Sequence, residues 1–259
     1  VVNFAPILLE QLEDYIGQIT SYLKGDGTIR DPVLAGLAQP ALPGNQPARL
    51  RLIRDCMRAN RERMIDRFDP YKHLATMADW YTEHPQSLIY ASNQFLADLL
   101  VWYHLSWMAE SVLRSDTCIA RLQSKAFNFT LHDRRELLQI ILQQLQSVVP
   151  RYKKLAEQGQ VELCMSPYAH PIIPLLLDMD CAREAMPDVH LPITTDYPGG
   201  AARAQWHIQH GLDTFNRVFG CRPAGLWPSE GGVSQAALEL FAANDFRWVA
   251  SGGSVLRNS

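Results

Sequence analysis

The feature that most constrains the fold is a change of texture along the chain: from about 45 to 158 the sequence reads as helix almost throughout, while both flanks are built of short strand-like runs. Segments such as RLRLIRDCMRANRERMIDRF, PYKHLATMADWYTEH, NQFLADLLVWYHLSWMAESVL and RRELLQIILQQLQSVVPRYKKLAEQG repeat apolar residues three and four apart, the period of one helix face. In the last of these Asp133 is a candidate N-cap, Gly159 supplies the stop, and Pro150 predicts a kink or break. Ahead of the block, VVNFAPILLEQLEDYIGQI is one strand-helix unit, and the Pro-, Gly- and Ala-rich stretch from Gly25 to Pro47 reads as a loop. Behind it, VELCMS, ARAQWHIQHGLDTFNRVFG, AGLWPSE, SQAALELFAAND and FRWVASGG alternate short strands with helices, the pattern of parallel β/α units. The expectation is one α/β domain, without internal repeats, whose early and late strands are separated by a long helical insertion.

Composition removes several functional classes. Twenty-four Lys and Arg against twenty-seven Asp and Glu, with no long run of one sign, leave no basic surface for nucleic acid. No apolar run approaches the roughly twenty residues of a membrane span. Cys56, Cys118, Cys164, Cys181 and Cys221 are widely spaced and form no metal-type pair, so they read as reduced thiols of a cytoplasmic protein. Oligomeric state is not legible.

In parallel β/α folds the loops after the strands' carboxyl ends converge on one mouth, so acidic residues there are the candidates for chemistry. Alternation in VELCMS sets Glu162, Cys164 and Ser166 on one face; Glu162 either faces a polar cavity or is solvated at a frayed strand start. His170, in the proline-braced loop SPYAHPIIPLL, either hydrogen-bonds a ligand or carboxylate, or bonds backbone structurally. In AGLWPSE the alternation puts Leu226, Pro228 and Glu230 on one side. Glu230 then sits at the strand end ahead of Gly231 and Gly232, with Ser234 capping the next helix. There a carboxylate is favoured as the anion, which suits a nucleophile, although an ordinary helix-start acid has the same signature. Trp227 offers a flat face to stack on a sugar ring, or is a core tryptophan.

His207 and His210 are three apart on one helix and lack a companion ligand, so a solvated face is preferred to a metal site. Phe95, Trp102, Tyr103, Trp107 and Met108 form an aromatic run that is either a carbohydrate or partner platform or, as the helical spacing of Phe95, Leu99, Trp102 and Leu105/Ser106 favours, core packing against the barrel.

Taken in order, GLWPSEGGVSQAALELFAANDFRWVAS, GQVELCMSPYAHPIIPLL and NFAPILLEQLEDY resemble glycoside hydrolase family 57, in particular its bacterial putative α-amylase and α-mannosidase-like branch. The resemblance covers both ends of the chain and fits the middle only in length and texture. It implies a partial (β/α)7 barrel with a long helical insertion, retaining cleavage or transfer of α-linked sugars, and no metal or other cofactor. It implies Glu230 as catalytic nucleophile, with Glu162 and His170 lining the sugar-binding cleft, and Trp227 joins them as the candidate stacking face. An α-glucan or oligosaccharide is the expected partner, with no nucleic acid and no membrane. The family's His-Gln-Pro motif ahead of NFAP and its downstream acid/base aspartate are absent. Ser251, Gly252 and Gly253 stand where related sequences carry Thr-Asp-Glu, and none of Asp178, Asp180 and Asp196 matches the acid/base position. The expectation is an internal piece of a catalytic domain, inactive by itself. The competing readings are a non-catalytic glycan-binding or assembly protein on the same scaffold and a barrel-type deacetylase, which would need an Asp and two His around a metal.

Overall fold

A computed structural model describes residues 1–193 and 197–253, so Asp196 lies outside the described residues. The elements run β1 (Val2–Phe4), α1 (Pro6–Leu23), α2 (Pro32–Ala38), α3 (Gln46–Cys56), a π turn at Arg61–Ile65, α4 (Asp69–Glu83), a 3-10 turn at Pro85–Tyr90, α5 (Asn93–Ser106), α6 (Glu110–Ser115), α7 (Thr117–Lys125) and α8 (Leu131–Glu157). They continue as β2 (Leu163–Met165), α9 (Ile173–Leu177), α10 (Ala182–Ala185), α11 (Gly200–Phe219), β3 (Gly225–Leu226), α12 (Gln235–Ala243) and β4 (Trp248–Val249). The chain divides into two compact units, one of residues Val1–Asp14 with Gln146–Ser259 and one of Tyr15–Leu145.

The first unit holds the sheet. Its strands lie in the order β1-β2-β3-β4, every neighbouring pair parallel. Among the described residues the sheet is open at both edges. Parallel neighbours need a crossover, and α11 and α12 supply two of them. Phe4, Met165, Leu226, Ile208, Phe215 and Phe241 bury together, and Phe4 packs edge-on against Tyr152 at 5.2 Å. Gly225 lies where the Trp248 indole crosses the sheet: a β-carbon there would stand 2.0 Å from two ring carbons.

The second unit is helical, with its own core. The residues of the aromatic run at helical spacing are buried as expected, Phe95 at 6%, Leu99 at 0% and Trp102 at 2% exposure. They pack within this unit rather than on the sheet. Trp107 departs from the pattern and is 58% exposed. Three local expectations are corrected. The stretch expected as loop contains α2, whose start Asp31 caps by accepting the Val33 and Leu34 N–H groups, with Pro32 in the first turn. Asp133 is not the N-cap of α8: Thr130 Oγ accepts the Asp133 N–H while Asp133 accepts the Thr130 N–H, a reciprocal capping box. Of the kink or break expected at Pro150 the break is absent, and α8 runs through it. Pro150 withholds one donor from the Gln146 carbonyl, and both residues are exposed, where the loss of a donor is tolerated because solvent can supply one. Gly159 does end the helix, at φ 70°.

Asp98, Asp133 and Arg134 are polar side chains buried in the helical unit and held by hydrogen bonds, although Arg134 Nε and Thr20 Oγ1 are buried there with no partner among the described residues. Asp98 accepts the Asn128 and Phe129 N–H groups at 3.1 and 2.9 Å, and the Arg134 guanidinium donates to the Gly36 and Gln39 carbonyls. Burial by itself favours the neutral form of Asp133. Donors from Lys125, Arg121 and Thr130 outweigh it and hold the carboxyl well below the usual carboxylate range.

Two outcomes are expected. Gly225→Ala lowers the unfolding free energy by about 1–3 kcal/mol in urea titrations, because the methyl group overpacks against Trp248. Asp133→Asn costs about 1–3 kcal/mol near neutral pH. Because the folded carboxyl titrates below its unfolded value of about 3.9, its stabilisation is complete above that pH and disappears as pH falls through the folded value. The parent and the variant therefore converge in acid.

Candidate functional site

The register places Phe4 beside Met165, Met165 beside Leu226, and Leu226 beside Val249. The segments that follow these residues therefore all leave from one edge of the sheet. After β2, Ser166 is fully buried and takes a hydrogen bond from Asn3 Nδ2 at 2.8 Å. The Tyr168 carbonyl accepts the Ile7 N–H and its own N–H donates to the His207 carbonyl. After β3, the Trp227 N–H donates to the Met165 carbonyl at 2.8 Å, and the chain then enters a 3-10 turn at Ser229–Gly231. After β4, Ser251 Oγ donates to the Gly231 carbonyl at 2.7 Å, tying this loop to that turn. The loop after β2 reaches the same place: a β-carbon on Gly232 would meet Ile172 Cγ2 at 3.4 Å. Three strand-end loops thus converge on Gly231 and Gly232.

Glu230 sits in this turn. Its φ of 54° and ψ of 17° are left-handed, a region that costs a side-chain-bearing residue about 1–2 kcal/mol. Its side chain is exposed, and among the described residues its carboxylate has no hydrogen-bond or ion-pair partner. His170, on the adjoining loop, is also exposed and also left-handed at φ 58°. Strained backbone of this kind persists only where neighbours over-determine it, and it concentrates at working sites. Trp227 is 45% exposed beside the turn. Ser229 is 1% exposed, and its hydroxyl is buried with no partner among the described residues.

The structure therefore brings the loops of His170, Trp227 and Glu230 together at one edge. It does not bring Glu162 there. Glu162 precedes β2 at the opposite, amino-terminal edge, where its carbonyl accepts the Val2 N–H and its carboxylate accepts the Trp248 Nε1–H at 2.8 Å. The expected alternation holds for Cys164 and Ser166, which share the side chain of Asn3. Burial and then the Glu162 charge push the Cys164 thiol up to about 11, so it is no nucleophile. Alternation through AGLWPSE is corrected too: β3 ends at Leu226, and the turn, not strand pleating, carries Glu230 to the surface.

His207 and His210 are not a simply solvated face. The His210 ring stacks on Trp206 at 4.9 Å and meets Tyr168 edge-on at 4.3 Å. Burial, with Arg203 and His210 nearby, lowers the His207 pKa. Among the described residues no three His, Cys, Asp or Glu side chains gather as a metal site. Sequence reasoning missed Glu10, which accepts hydrogen bonds from Tyr168 and Thr214. The Tyr168 bond is the main reason that its pKa falls, against the effect of burial. It also missed Trp248, for which a glycine inside a strand run was the available signal.

The sequence model of glycosyl hydrolase family 57 matches residues 57–258, most of the chain and all of the turn that carries Glu230. The chain belongs to glycosyl hydrolase family 57. Family 57 membership makes it a glycoside hydrolase or transglycosylase at the level of class, with a carbohydrate substrate. No curated protein and no solved structure matches the chain.

Replacing Glu230 by glycine is expected to raise the unfolding free energy by about 1 kcal/mol, by relieving the left-handed backbone. Thermal melts of the parent and Glu230→Gly check this; a lower melting temperature in the variant would show that the carboxylate is held for stability.

Proposed function

We propose that the chain carries the nucleophile of a retaining glycosidase or transglycosylase acting on α-linked glucans or oligosaccharides, on a partial (β/α)7 barrel. The observation that carries this reading is the turn at Glu230: a carboxylate that is exposed and, among the described residues, unpartnered, in strained backbone where the loops after β2, β3 and β4 converge. In this mechanism the Glu230 carboxylate attacks the anomeric carbon, the bond to the leaving oxygen breaks, and a second carboxyl group donates its proton to that oxygen. Water or an acceptor hydroxyl then displaces Glu230, yielding its proton to the same group, and the anomeric configuration is retained. Trp227 supplies a stacking face for a sugar ring and His170 a hydrogen-bonding ring on the neighbouring loop. Glu162 is left out of the sugar-contacting set, because its carboxylate is engaged by Trp248 at the other edge. All five cysteines are free, which favours a reducing, cytoplasmic setting.

A 5-fluoro-α-glucosyl fluoride tests the nucleophile directly, because fluoride leaves without protonation and the label needs only the attacking carboxylate. Mass spectrometry is expected to find the label on the peptide containing Glu230 and to find none in Glu230→Gln. With the same fluoride donor, azide is expected to restore turnover to Glu230→Ala by taking the nucleophile's place. A label on another residue would remove Glu230 from its role, and sugar binding with no label anywhere would leave a glycan-binding protein on the same scaffold.

A further inference from the structure

The helical unit contains a cavity of about 430 Å3 that owes nothing to the Glu230 turn. Its size falls within the range of about 300–1,000 Å3 usual for small-molecule sites. Pro32, Val33, Leu34, Ile141 and Leu145 supply apolar wall, and Asp31, Asp55, Arg58 and His104 supply the polar groups. Aromatic rings complete it: Trp107, more than half exposed, stands 6.3 Å from Tyr103, which meets His104 edge-on at 5.2 Å.

We propose that this cavity is a second sugar-binding site, taking one ring of a neutral oligosaccharide, with Trp107 as the stacking platform and Asp55 with Arg58 as the hydroxyl-recognising pair. The charges argue for a neutral, hydroxyl-rich ligand. Asp31 is spent internally: Oδ1 accepts the Val33 and Leu34 N–H groups and Oδ2 accepts the Tyr15 hydroxyl. Asp55 is balanced by Arg58, whose guanidinium lies 3.2 Å from its Oδ1, so an anion meets no uncompensated cation and a cation meets only the Asp31 carboxylate, whose oxygens already accept internal hydrogen bonds. Asp55 Oδ2 accepts and Arg58 donates, a combination that suits adjacent sugar hydroxyls. His104 Nδ1 donates to the Leu100 carbonyl at 2.8 Å, which leaves Nε2 as an acceptor in the wall. Burial pushes its pKa down to about 4, so it stays neutral under ordinary conditions. A flat ring beside a carboxylate and a guanidinium holds a pyranose by its apolar face and its edge together. That the hydroxylated ligand is a sugar rests on the carbohydrate reading given above.

The test is calorimetric titration of the protein with maltotriose, run beside the labelling of Glu230. Saturable binding is expected with a dissociation constant on the order of 1 mM. Trp107→Ala and Asp55→Asn should each weaken it at least about tenfold, or abolish it, while Glu230 labelling persists in both. Trp107 is exposed enough for its truncation to leave folding intact, which melting by circular dichroism verifies, and Asp55→Asn keeps the side-chain shape as an independent arm. Absence of binding in the parent, or binding unchanged in both variants, overturns the proposal. Labelling without Trp107-dependent binding would reject this site and keep the proposed reaction, and Trp107-dependent binding without labelling would do the reverse.

Discussion

The hydrogen-bond register of the parallel sheet is the constraint on which the candidate site depends. With Phe4, Met165, Leu226 and Val249 side by side, every segment leaving a strand must emerge at one edge, and every segment entering must arrive at the other. A single strand reversed in direction would send its loop to the wrong end. The strands are only two or three residues long, so the ladder alone is slight. Burial of Phe4, Met165 and Leu226 beneath α11 and α12 holds the register; sheet edges left without such cover tend to slip.

The two edges of the sheet do different work. At the amino-terminal edge, the Trp248 indole lies across Gly225 and ends on the Glu162 carboxylate, so a residue with the look of a catalytic acid is used to brace β4 against β2. At the carboxyl-terminal edge the hydrogen bonds are mostly between backbone groups, with the Ser251 hydroxyl closing on Gly231. That leaves the Glu230 carboxylate unspent. In the proposed reaction such a turn suits attack at an anomeric carbon, because the carboxylate can serve substrate without first breaking an internal bond.

The helical unit is stabilised by a different kind of interaction. Buried charges at Asp98, Asp133 and Arg134 each satisfy backbone groups or a paired charge, which is the condition under which buried charge is tolerated. Trp102, on α5, donates to the Ala126 carbonyl from within the core, whereas Trp107 just past the end of α5 turns outward. The same aromatic run therefore contributes both core and surface.

Much of this was legible in the residues. The strand-helix opening, the burial of Phe95, Leu99 and Trp102, the stop at Gly159 and the parallel character of the late strands follow from periodicity and turn chemistry, which are local. That Glu230 stands beside a turn was legible for the same reason, since Gly231 and Gly232 mark it, but that β3 stops at Leu226 was not. The helix α2 was hidden by its loop-like composition, although Asp31 and Pro32 spell out its start. The separation of Glu162 from Glu230, the left-handed backbone at Glu230 and His170, the crossing of Gly225 by Trp248 and the cavity around Asp55 and Trp107 came only with tertiary structure. Each depends on which residues distant in the chain are pressed together, and a sequence pattern records faces and ends, not neighbours.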